Sequence, residues 1–318
     1  MTTCEQTTYV LSEEMQSLVY WSSIYSPADA DIDSVRAAYD AMCRHYTLPR
    51  DGKIEVEDRV VANAEHPLPV RMYSPKTKRP EAGWPCVLYL HGGGWMVGGL
   101  DSHEFITSYL CQDLNAVVIG VDYRMAPEHR FPAAFEDCLA VYQWLKQHGS
   151  DWQIDSENIV LAGGNLAAAL AVHLQHSGMQ AQGLALFYPC LTTALDTPAA
   201  QQHAHAPLLT TEDMHFYLKE YAPNSQDWQD LRLAPLLATD FSDMPTSFVA
   251  VAEYDPLSDD GYFLTQKLEQ VGIPNEFHLG KGLLHGSLRL MRDCPEVQQL
   301  YQNMLSAIRR MFGSVEKI

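Results

Sequence analysis

Positive charge is scarce in this chain: 21 Lys and Arg stand against 40 Asp and Glu in 318 residues, a formal charge of −19. Such a field repels phosphate backbones and anionic lipid surfaces, which excludes nucleic acid and membrane surfaces as first readings of its partners. Long apolar runs are missing as well. Nothing reaches the roughly 18 consecutive apolar residues of a membrane span, and Met1 to Glu14 have neither a basic nor an apolar leader segment. A cytoplasmic protein with no membrane span is the expectation. Cysteine pairs are also absent. Cys4, Cys43, Cys86, Cys111, Cys138, Cys190 and Cys294 are odd in number, and none forms a C-x-x-C. That argues against a zinc site and against a disulfide framework. Cys86 and Cys138 lie in apolar runs and read as small core residues. No glycine pattern has the dinucleotide or phosphate-loop form, and no internal repeat or low-complexity linker interrupts the chain.

What is present suffices for one large core, with 47% hydrophobic and 19% charged residues. From Cys86 onward, short β-branched runs alternate with segments of helical period, which predicts an α/β fold. Strands are expected at Cys86 to Leu90, Ala116 to Tyr123, Asn158 to Ala162, Leu184 to Tyr188, Ser247 to Glu253 and Glu276 to Leu279. Helices are expected at Asp101 to Leu114, Pro132 to Gln147, Leu166 to His176 and Pro295 to Met311. Ser12 to Tyr46 reads as amphipathic helix, and Lys53 to Met72 as two antiparallel edge strands. A second insert, Thr192 to Asp240, carries a capped helix at Thr210 to Tyr221. The expected division is therefore 1–50 as N-terminal cap helices, 51–191 as the first part of the core, 192–240 as a second cap insert and 241–318 as the rest of the core. Caps of this kind would cover a pocket at the carboxyl ends of the strands.

The segment Leu90 to Gly99 reads LHGGGWMVGG and follows a strand directly. Three successive glycines let backbone N–H groups approach a ligand and point at one developing oxyanion. Together with DYRMAPEHRFPAAFED at 122–137, AEYDPLSDDG at 252–261 and LLHGS at 283–287, this series resembles the hormone-sensitive-lipase-like esterases of the α/β-hydrolase fold. The resemblance runs from about Val70 to Met311. It implies a mostly parallel sheet with helices on both faces and a helical cap, and carboxylic-ester hydrolysis through an acyl-enzyme on short-chain acyl esters. It implies Gly93 and Gly94 as oxyanion-hole donors, His285 as general base and acid, and Asp255 as the residue that orients His285. The partner is then a small-molecule ester, and the chemistry needs no metal and no organic cofactor. Related esterases often pair through an edge strand or the last helix, so a homodimer is the candidate assembly.

The family's nucleophile elbow, usually Gly-Asp-Ser-Ala-Gly-Gly-Asn, is not there. The chain runs Ala162-Gly163-Gly164-Asn165-Leu166, so its flanks match while four residues, the serine among them, are missing. Three readings stay open from sequence: an elbow missing only from the sequence as written, a true deletion, or a non-catalytic pseudo-esterase that binds a small molecule, as the gibberellin receptors do. The gap removes up to about 13 Å of contour, close to one helical turn in residue count, so the following helix is expected to keep its buried face. Around the site, Pro127 and Pro132 with Glu128, His129 and Arg130 are expected to support the glycine loop through local polar contacts. Trp95, Met96 and Phe105 are either acyl-pocket lining or plain core. His203 and His205 are expected to be solvated loop histidines, and Glu136-Asp137 and Asp259-Asp260 to be solvated helix-terminal acids.

Overall fold

A computed structural model describes residues 7–47, 49, 52–62 and 66–313, so Cys4 lies outside the described residues. In chain order the elements are α1 (Glu13–Ile24), α2 (Ile32–His45), β1 (Ile54–Val61), β2 (Leu68–Pro75), β3 (Trp84–Leu90), α3 (Glu104–Leu114), β4 (Val117–Val121), α4 (Ala133–His148) and β5 (Ile154–Gly163). They continue with α5 (Asn165–Leu174), β6 (Gly183–Phe187), α6 (Pro198–Gln202), α7 (Thr211–Tyr221), β7 (Ser247–Tyr254), α8 (Ser258–Gln270), β8 (Asn275–Leu284) and α9 (Pro295–Met311). The strands form one sheet in the order β1-β2-β4-β3-β5-β6-β7-β8. β1 and β2 are antiparallel, β2 is antiparallel to β4, and every later pairing is parallel.

β3, β4 and β6 are buried at every residue, as continuous apolar runs covered on both faces must be. Successive side chains of β3 serve opposite faces. Cys86, Leu88 and Leu90 join a core with Phe135 and Leu145 of α4 and Leu170 of α5. Val87 and Tyr89 join a second core with Leu110 of α3 and Leu305 of α9. Cys86 and Cys138 are fully buried, as their apolar surroundings predict.

Several boundaries differ from expectation for identifiable reasons. The helical stretch from Ser12 breaks into α1 and α2, and Asp31 restarts the chain by accepting the Asp33 N–H at 3.2 Å. Only β1 is an edge strand on that side. β2 pairs on both flanks because Val70, Met72 and Tyr73 bury it between β1 and β4. β8 runs well past Leu279, to Leu284, and α8 follows the acid loop although Leu264 and Leu268 are its only buried large apolar side chains.

The paired acids are not all solvated. Asp137 is 1% exposed and accepts from the Arg124 N–H, from its guanidinium and from His66. Asp260 is 2% exposed and accepts the Leu191 and Thr192 N–H groups at 2.6 and 3.0 Å, tying α8 to the chain after β6. Burial, with Asp255 and Asp259 nearby, pushes the Asp260 carboxyl up to about 7 against those two hydrogen bonds. An unfolded aspartate titrates near 3.9, so between roughly pH 4 and 7 the native state holds a proton that the unfolded chain has released. This group's contribution to stability therefore falls as pH rises through that window, by up to about 4 kcal/mol in full. Denaturant melts at pH 5 and pH 7.5 are expected to show a little over half of that loss, and Asp260→Asn to flatten it.

Candidate active site

The carboxyl ends of β3, β5, β6, β7 and β8 open on one cavity of about 470 Å³. Asp255 follows β7 and His285 follows β8, so adjacent parallel strands deliver the two residues side by side. His285 Nδ1 lies 2.8 Å from Asp255 Oδ2, while Asp255 Oδ1 accepts the Leu257 N–H at 2.9 Å. The Asp255 carboxylate is fully buried, and the His285 side chain is 31% exposed. The hydrogen bond assigns the Nδ1–H tautomer, which leaves the Nε2 lone pair as the ring's remaining basic atom. Among the described residues no side chain is hydrogen-bonded to Nε2. Ser287 is not a partner, because its Oγ bonds the Tyr188 hydroxyl at 2.8 Å.

The glycine loop forms the facing wall. Gly93 and Gly94 have φ of +124° and +58°. A Cβ at Gly93 would fall 2.0 Å from the Val97 carbonyl oxygen, and one at Gly94 would fall 2.5 Å from the Tyr217 ring. Glycine is therefore obligatory at both positions. The Gly93 carbonyl is occupied by the Met96 and Val97 N–H groups at 3.1 and 3.0 Å. No acceptor among the described residues takes the Gly93 or Gly94 N–H, so both amides remain available to an anion in the cavity.

The loop is held from behind by the 122–137 segment. Tyr123 donates to the His91 carbonyl at 2.8 Å, and the Ala126 N–H donates to the Trp95 carbonyl at 2.9 Å. The contacts of Glu128 are not local, because Arg36 of α2 grips it at 2.7 and 2.8 Å and also donates to the Met96 and Ala126 carbonyls. Arg130 likewise reaches across to Glu220 of α7, at 3.9 Å. Arg36 is the functional residue that sequence reasoning missed. It is a lone arginine on an amphipathic helix, and no local pattern marks it.

Trp95 lines the cavity and also stacks on Tyr221 at 4.7 Å. Phe105 lines it too, whereas Met96 belongs to the core. His203 departs from expectation, being buried against the rings of Tyr9 and Tyr254, while His205 is exposed. No group of three or more metal-ligating side chains is gathered among the described residues. Among them, too, no helix is long and apolar enough to cross a membrane.

Where the elbow would stand, β5 passes through Gly163 and Gly164 straight into α5. Gly163 has φ of +145°, and a Cβ there would meet the Leu90 carbonyl oxygen at 2.2 Å, so the sharpened turn depends on glycine. α5 starts without a side-chain cap, and Gly163, Gly164, Asn165 and Leu166 all line the cavity. Its first N–H groups have no intrahelical acceptor, and the helix dipole adds positive potential there. Asn165 anchors this end by donating to the Cys190 and Leu233 carbonyls at 2.8 and 2.7 Å. The helix stays buried at every residue but His173, so the shortened connection leaves the sheet and its packing intact.

Residues 87–289 match the family model described as the alpha/beta hydrolase fold. The chain is 33% identical to an ethyl acetate hydrolase of Pseudomonas putida over 71% of its own length and 73% of that protein. It is 32% identical to Esterase LipI of Mycobacterium tuberculosis over 88% of its own length and 89% of that protein. A crystallised ester-hydrolase, EH1AB1, from the metagenome of Lake Arreo superposes with a TM-score of 0.87 at 26% identity, covering 96% of this chain and 100% of its own. With the glycine loop, the acid loop and the histidine loop converging on one cavity, the chain belongs to the hormone-sensitive-lipase-like esterases of the α/β-hydrolase fold, and carboxylic-ester hydrolysis is its reaction class.

Proposed function

We propose that this chain hydrolyses short-chain carboxylic esters by direct attack of water, in the space the elbow serine would occupy. The observation that carries this reading is the intact Asp255–His285 pair on the wall of a cavity in which, among the described residues, no side chain is hydrogen-bonded to Nε2. His285 Nε2 takes a proton from a water molecule as the water oxygen bonds to the ester carbonyl carbon. Asp255 holds the ring and stabilises the imidazolium. The Gly93 and Gly94 amides receive the oxyanion, each donor contributing roughly 2.7 to 4 kcal/mol in comparable sites, and the open amides of α5 stand in for the donor lost with the elbow. As the intermediate collapses, the carbon–alkoxide bond breaks, the imidazolium returns its proton to the leaving alcohol, and the acid departs. No acyl-enzyme forms on this route.

The modest cavity, closed by Tyr39 of α2 and Tyr217 of α7, supports short acyl groups and supports residues 1–50 and 192–240 acting as a two-part cap. The ethyl acetate hydrolase of P. putida points the same way. A cytoplasmic setting accords with the free, buried Cys43, Cys86, Cys111, Cys138, Cys190 and Cys294. A homodimer through the open edge of β8 is favoured by exposed Phe277 and Leu279 beside Tyr262. To test the function, p-nitrophenyl acetate, butyrate and decanoate are assayed before and after a serine-directed phosphonate. Turnover of the two short esters above buffer, undiminished by the phosphonate, is expected. No turnover of any ester would instead favour the small-molecule-binding pseudo-esterase, a reading motivated by the missing serine.

A further inference from the structure

Arg289 sits in the short helical turn that follows His285 and forms part of the same cavity wall. Its Nη1 donates to the Gly286 carbonyl at 3.0 Å, its Nη2 donates to the Tyr39 hydroxyl at 2.9 Å, and its guanidinium lies 5.4 Å from the Tyr39 ring centre. Its Nε is buried with no partner. The other half-buried arginines each hold a carboxylate: Arg36 with Glu128, Arg71 with Asp58, Arg124 with Asp137 and Arg232 with Asp230. Arg292, three positions along, reaches Asp113 at 3.5 Å. Among the described residues Arg289 has no such partner, in a chain with 40 acids to choose from.

An arginine stays protonated, and a desolvated cation without a counter-ion is costly. No carboxylate stands among the described groups around it, which include the Cys43 thiol and the Tyr39 hydroxyl. Burial pushes the Tyr39 phenol well above its ordinary range and holds His103 below its own, so neither offers a negative charge at pH 7. The planar guanidinium fork is shaped for a carboxylate. Resting on the ester-hydrolase reading of this site, we propose that Arg289 binds a second, ionised carboxylate of the substrate, so that the preferred substrates are monoesters of short dicarboxylic acids. The long-range field of the chain repels anions, so recognition must come from this contact and not from steering.

The test separates binding from turnover. Calorimetric titration of the full chain with glutarate and with butyrate is expected to give at least a tenfold preference for glutarate, in line with a hydrogen-bonded charge pair. Arg289→Gln is expected to cut that preference at least tenfold, and Arg289→Lys, which keeps charge but not the fork, to retain part of it. Should Arg289→Gln fail to fold, Tyr39→Phe decides, since it frees Nη2 and must leave the glutarate preference equal or greater. A wild-type chain that binds glutarate no more tightly than butyrate, or a preference lost in Tyr39→Phe, overturns the assignment. Hydrolysis of monoethyl glutarate and ethyl butyrate is followed in parallel. A glutarate preference without hydrolysis of either ester would refute the water-attack reading and leave this one standing, whereas equal hydrolysis without the preference would do the reverse.

Discussion

Inserting Asp-Ser-Ala-Gly between Gly163 and Gly164, which recreates the family's elbow, is expected to raise kcat for p-nitrophenyl butyrate by at least about 10³-fold. A serine Oγ at the end of β5 would meet His285 Nε2, the residue after it would restore an oxyanion donor, and a difficult single displacement would become two easier steps. The insertion point opens on the cavity, which Gly163 and Gly164 both line. The inserted protein is also expected to become sensitive to a phosphonate, and changing the new serine to alanine should return the rate to that of the parent. A folded insertion variant with no gain would mean that Nε2 and the glycine amides do not converge on one reacting carbon.

The second large effect is expected at the base. In His285→Ala the cavity, the Gly93 and Gly94 amides and the α5 terminus all remain, but nothing takes the water proton, so kcat should drop by about 10²- to 10⁴-fold. Asp255→Asn should approach the same loss by a different cause, because the carboxamide neither fixes the Nδ1–H tautomer nor stabilises the imidazolium. Thermal melts separate chemistry from folding. His285 is part-exposed and its loss should be tolerated, whereas Asp255 is fully buried and also holds the Leu257 N–H. Unchanged turnover in His285→Ala would move the chemistry elsewhere.

The sheet was legible because β3 to β7 are apolar runs bounded by turns, and α9 because its buried stripe repeats with helical period from Val297 to Met311. The pairing of Asp255 with His285 was legible through the resemblance of their two loops to the family's, and parallel register then brought them together. Residues whose roles depend on distant neighbours escaped. Arg36 is 60 positions from the Met96 carbonyl it holds, and Tyr217 covers Gly94 from an insert without a motif. Asp137 and Asp260 read as solvated acids because charge in a sequence says nothing about which amides will bury it. The elbow differs again: its absence was plain in the sequence, but that α5 would still seat its uncapped end in the cavity required the packed helix.

Rapid-quench kinetics of p-nitrophenyl butyrate with intact-mass detection test the water-attack account most directly. It predicts p-nitrophenol release that is linear from the first turnover, with the mass of the protein unshifted throughout. A burst stoichiometric with enzyme, accompanied by a butyryl adduct on the chain, would contradict it.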